Sequence, residues 1–69
     1  MTLLFEIMID EHIDSDWEVW FEGFSISQRN DGTTLLRGSV IDQAALHGLL
    51  MRVNQLGLTL LRVEQIKKE

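Results

Sequence analysis

The stretch from Phe24 to Leu58, FSISQRNDGTTLLRGSVIDQAALHGLLMRVNQLGL, decides the fold, because it joins a hairpin signal to a helix marked at both ends. Asn30-Asp31-Gly32 separates residues 24–29 from residues 33–40, and Gly32 supplies the positive φ that a bulged three-residue loop requires. That loop pairs Ile26 with Leu36 and Phe24 with Gly38 on one face, and Ser27 with Leu35 and Ser25 with Arg37 on the other. A two-residue Asp-Gly loop sets Ile26 opposite Arg37 and mixes the faces, which a sheet packed on one side resists.

After Val40, Asp42 is a good N-cap, and Ile41 is placed to pack on Leu46 as a hydrophobic staple. Gly57 supplies the left-handed residue that closes the helix, with Leu58 expected against Val53. Ala45, Leu46, Leu49, Leu50, Val53 and Leu56 form the apolar stripe, leaving Ala44, His47, Met51 and Gln55 outward.

Working outward, Leu3, Phe5, Ile7 and Ile9 alternate with Leu4, Glu6, Met8 and Asp10 in the period of a half-buried strand. The last strand runs from about Leu58 to Ile66, with Leu61 and Val63 inward and Leu60 and Ile66 on the outer face. Ser15-Asp16-Trp17-Glu18 has the spacing of a capping box, predicting a helix of about two turns before Gly23, with Trp17, Trp20 and Phe21 on one side. The order strand, short helix, strand, strand, long helix, strand predicts one α+β domain over residues 1–69, with a ferredoxin-like, split βαβ antiparallel sheet. A two-turn helix is short for the first crossover, so a looser, meander-like first half is the alternative.

Composition narrows the function classes. A chain of 69 residues holds one core, and with no cysteine it has neither disulfides nor thiolate chemistry to reinforce it. The formal net charge of −5 and the scatter of the six basic residues argue against nucleic acid. Met1 to Ile9 has neither a basic leader nor a small-residue cleavage site, and no apolar run reaches the length of a membrane span, so a cytoplasmic location is expected.

Asp42-Gln43-Ala44-Ala45-Leu46-His47-Gly48-Leu49-Leu50 with Leu56-Gly57-Leu58, and Trp17-x-x-Trp20-Phe21-x-Gly23, resemble segments of a family of short bacterial proteins. The likeness covers most of the chain. It implies a common fold and a cytoplasmic location, and it carries no catalytic or binding role onto any residue.

Each chemical constellation has a structural account beside it. Asp10, Glu11, His12, Asp14, Asp16 and Glu18 offer an imidazole and carboxylates to a divalent cation, yet their spacing matches no metal loop. Strand-end charges, a cap and a negative first helical turn explain the same residues. Trp17, Trp20, Phe21 and Phe24 line a binding face or close one end of a thin core, and the core is preferred. His47 has no nucleophile or carboxylate at a catalytic spacing. No cofactor or enzymatic activity is expected.

What stands out is surplus apolar surface. Leu4, Met8, Leu35 and Leu60 are expected as one patch on the outer face, with Glu6 between Arg37 and Arg62 fixing register across an interface. The expected function is a non-enzymatic interaction or regulatory module acting as a homodimer. The alternative is a sensor that binds a small metabolite between the short helix and a subunit boundary.

Overall fold

The computed structural model describes residues 2–21 and 23–68. Four strands, β1 (Leu3–Ile9), β2 (Phe24–Gln28), β3 (Thr34–Val40) and β4 (Leu60–Lys68), form one sheet in the order β2-β3-β1-β4, with every adjacent pair antiparallel. One α-helix, α1 (Gln43–Gln55), joins β3 to β4. The protein is therefore an α+β domain, with the one α-helix among its described residues in the second half.

The hairpin adopts the register read from the sequence: Phe24 faces Gly38, Ile26 faces Leu36 and Ser27 faces Leu35. Arg29 and Thr33 close the loop through Arg29 N–H to the Thr33 carbonyl at 2.9 Å, and Gly32 has φ +88°. Asp31 braces the turn, its Oδ1 accepting from the Thr33 hydroxyl at 2.6 Å and the Thr33 N–H at 3.1 Å. Those bonds hold the Asp31 carboxyl below its ordinary pKa, the hydroxyl contributing most. Gly38 has a separate reason to lack a side chain, since a Cβ there would collide with the Gly23 carbonyl oxygen and come within 2.8 Å of the Phe24 ring.

Asp42 caps α1 with Oδ1 accepting from Ala45 N–H at 2.9 Å. At the far end Gly57 has φ +75°, its N–H reaches the Asn54 carbonyl at 3.0 Å, and Leu58 N–H reaches the Val53 carbonyl at 3.1 Å. This pair of bonds is the Schellman arrangement, and it sends the chain back toward β4. The expected staple does not form: Leu46 is buried, whereas Ile41 is 72 % exposed. Ala45, placed in the apolar stripe by periodicity, is also exposed. The buried stripe of α1 is narrower, with Leu46 and Val53 at its centre and Leu49, Leu50 and Leu56 partly covered beside them.

The connection from β1 to β2 departs further from expectation. It contains a 3₁₀-helix, η1 (Ser15–Trp20), where the spacing predicted two α-helical turns. Asp14 is its cap, with Oδ1 accepting from Asp16 N–H at 3.0 Å. The capping box assigned to Ser15 cannot be followed, because the Ser15 side chain lies outside the described residues.

Residues outside the connection hold it in place. The buried Thr34 hydroxyl donates to the Glu11 carbonyl at 2.7 Å and accepts from Ile13 N–H at 3.1 Å. Gln28 Nε2 donates to the Ile13 carbonyl at 2.9 Å, and Arg52 Nη1 donates to the Trp20 carbonyl at 2.8 Å. The core then closes around Phe5, Ile7 and Ile9 of β1, Phe24 and Leu36 of the hairpin, Val40, Leu46 and Val53, with Ile13 and Phe21 supplied by the connection.

Candidate interaction surface

Directly paired residues of neighbouring strands project to the same face, so the register lays out the sheet. Phe5, Ile7 and Ile9 take the side covered by α1 and η1. Leu4, Glu6 and Met8 take the other side, where no helix packs among the described residues. Opposite Met8 are Leu35 on β3 and Arg62 on β4. Opposite Glu6 are Arg37 and Glu64, and opposite Leu4 are Ser39 and Lys67. Leu4, Met8 and Leu35 are partly buried by these neighbours.

Glu6 sits at the centre of a charge cluster, with Arg37 Nη1 at 3.4 Å and Arg62 Nη2 at 4.0 Å from its carboxylate oxygens. Arg62 also reaches Glu64 Oε1 at 2.7 Å, which offsets the like charges of the directly opposed Glu6 and Glu64. The side chain of Glu6 is 18 % exposed, against about half for each arginine, so the cluster is anchored at Glu6 and open at its rim.

Leu60 does not join this face. It pairs with Ile9, a core residue, because β4 carries irregularities opposite the Leu4/Phe5 and Met8/Ile9 steps. Leu61 and Ile66 are the extra residues there, and each insertion reverses the inside-outside alternation that follows. The correction extends to Leu61, expected inward and in fact half exposed, while Val63 is partly buried opposite Ile7 as anticipated. Six of the seven expected interface residues, Leu4, Glu6, Met8, Leu35, Arg37 and Arg62, thus share one face.

A second surface was not anticipated as such. Trp20, Phe24, Val40, Ile41, Leu49 and Arg52 line a cavity of about 370 Å³ between α1 and the hairpin. Trp20 is 50 % exposed and Val19 and Ile41 are more so, forming an apolar rim, whereas Trp17 packs against the core. The visible signal was the density of aromatics between Trp17 and Phe24; which ring turned outward depended on the short helix and on Arg52 from α1.

The acidic segment is divided among separate tasks. Glu11 receives Thr59 N–H at 2.7 Å and the Thr59 hydroxyl at 2.8 Å, and these bonds, the backbone one foremost, lower its pKa. Asp14 caps η1, and His12 Nε2 lies 3.1 Å from the Arg29 carbonyl. Among the described residues no three His, Asp or Glu side chains converge on a point where a metal ion would fit. No described helix is long and apolar enough to cross a membrane.

An α+β domain with an antiparallel sheet, one face of which no helix covers among its described residues, is the class that fold and surface define. Residues 4–64 match the model of a domain of unknown function, DUF8691, and the chain belongs to that family. No curated protein and no solved structure matches the chain.

Proposed function

We propose that the protein is a non-enzymatic interaction module that acts in the cytoplasm by self-association through the outer face of its sheet. The observation that carries this reading is the partly buried Met8–Leu35 pair and Leu4 beside Glu6, on a face where no helix packs among the described residues. Apolar area removed from water contributes about 25 cal/mol per Å², so burying even a few hundred Å² is comparable with the stability of a small domain. The Glu6, Arg37 and Arg62 charges would set orientation more than affinity. A two-fold dimer is the commonest closed arrangement.

We read the framework as a variant of the ferredoxin-like sheet, a reading supported by β1 lying between β3 and β4 and by α1 joining β3 to β4. The helix of its first crossover is reduced to η1, so among the described residues α1 is the one α-helix beside it on the inner face.

Light scattering on the parent and on Leu35→Glu tests the reading. The parent is expected as a dimer at tens of micromolar and the variant as a folded monomer, since Leu35 lies outside the core cluster. A monomeric parent, or a variant that stays dimeric, would show that this face is not the contact.

One observation supports a second reading, a sensor for a small apolar or aromatic metabolite. The cavity beneath Trp20 and Ile41 falls within the size range of small-molecule sites. A thermal shift with a metabolite that Trp20→Ala abolishes would favour it.

A further inference from the structure

We infer that the outer edge of β4 pairs antiparallel with β4 of a second copy about a two-fold axis at Val63, joining two sheets into one of eight strands. β4 ends the strand order, and its pairings are with β1 alone among the described residues. At nine residues it is the longest strand, and Leu60, Leu61 and Ile66 are among the exposed large apolar residues. A long edge strand with exposed apolar residues is a ready template for another strand.

Charge selects both the occupant and the register. Between its two irregularities β4 is regular over residues 62–65, where Arg62, Val63, Glu64 and Gln65 face Met8, Ile7, Glu6 and Phe5. Axes through Arg62 or Glu64 set two like charges in direct opposition, and an axis through Gln65 sets Glu64 against Ile66 of the second copy, with no basic partner. An axis through Val63 sets Arg62 against Glu64 of the second copy, twice by symmetry.

Arg62 and Glu64 already meet at 2.7 Å within the chain on the outer face. Pairing about Val63 would join them to their symmetry mates in a four-charge cluster of alternating sign, beside Glu6. The opposite edge is a poorer template: β2 has five residues and carries Ser25 and Ser27 on the outer face. This contact deepens the self-association reading and rests on it, and it uses an edge where that reading uses a face.

Two sets of variants test the inference. Residues facing each other across an antiparallel pair have Cα atoms about 4.5–5.5 Å apart, within the span of a disulfide. The chain has no cysteine, so Val63→Cys introduces the sole thiol. Mild oxidation is expected to link two copies through Cys-substituted position 63 with folded dichroism retained, while Asn54→Cys on the exposed side of α1 stays unlinked.

Charge reversal supplies the second set, independent of tolerance at Val63. Arg62→Glu or Glu64→Arg alone should weaken the homodimer by at least about tenfold, through opposed like charges. Mixed together, the two variants should form a heterodimer. A dimeric parent that neither links at position 63 nor responds to charge reversal overturns the edge contact, and the face reading survives if Leu35→Glu still yields monomer. Linkage at position 63 in a protein indifferent to Leu35→Glu upholds the edge and overturns the face. A parent monomeric throughout overturns both and leaves the edge to a strand of a different protein.

Discussion

Thr59 satisfies both oxygens of the Glu11 carboxylate, its N–H donating to Oε1 at 2.7 Å and its hydroxyl to Oε2 at 2.8 Å. The Thr59 carbonyl in turn accepts from Asp10 N–H at 2.9 Å. The end of β1 and the entry to β4 are thereby tied at one point, a relationship between residues 48 positions apart that no local pattern announces.

The tie carries a pH dependence. The folded pKa of Glu11 is lowered, so its contribution is fully present above the unfolded-state value and is lost as pH falls through the folded value. Glu11→Gln should lower the unfolding midpoint at neutral pH and flatten the acid limb of a stability profile. Parallel profiles for the two proteins across the carboxylate range would show that the tie has no thermodynamic effect.

Gly57 holds φ +75° at the end of α1, where a β-branched side chain is strained. Gly57→Val should cost on the order of 1 kcal/mol or more, and Gly57→Asn less, because asparagine tolerates the left-handed region. For a domain of this size the first change corresponds to a fall in melting temperature of roughly 4–8 °C. Equal melting temperatures for Gly57→Val and the parent would contradict this end of the helix.

The two indoles should behave differently. Trp17 packs on the core and Trp20 is half exposed, so Trp17→Ala should destabilise by about 2–3 kcal/mol and Trp20→Ala by much less. Each variant retains one tryptophan, which makes the fluorescence unambiguous. Emission from Trp17 should lie at shorter wavelength and resist acrylamide, and the reverse order would overturn the assignment.

Gly38 and Phe24 should be coupled. Gly38→Ala forces a methyl toward the Phe24 ring and the Gly23 carbonyl, an overpacking worth about 1–3 kcal/mol. Shrinking the ring with Phe24→Leu should recover part of that loss. A double variant no more stable than the sum of the single effects would place the whole strain at the Gly23 backbone.

Legibility in the sequence followed the range of the interaction. The hairpin register and both ends of α1 were readable because Asn30-Asp31-Gly32, Asp42 and Gly57 act within a few residues of themselves. The placement of Glu6 between Arg37 and Arg62 followed from alternation plus strand order. Leu60 was misplaced because alternation assumes a regular strand, and the extra residues Leu61 and Ile66 are revealed only by pairing with β1. Ile41 had the spacing of a staple, but its exposed side chain joins the cavity rim rather than covering Leu46. The segment 10–20 misled most, since Thr34, Gln28, Arg52 and Thr59, all later in the chain, provide anchors that its own residues do not.

Those anchors also bear on the order of events during synthesis. Ribosomes deliver β1 and the connection first, yet Ile13 cannot be fixed until Gln28 and Thr34 emerge, Trp20 waits for Arg52, and Glu11 waits for Thr59. β1 itself has both its neighbours, β3 and β4, downstream. β1 therefore leaves the exit tunnel before either of the strands it pairs with, and its pairing is complete only when β4 has cleared the tunnel. A nascent chain stalled before Thr59 should remain open to protease at residues 10–20, and one extended by a linker long enough to carry Lys68 out of the tunnel should be protected there.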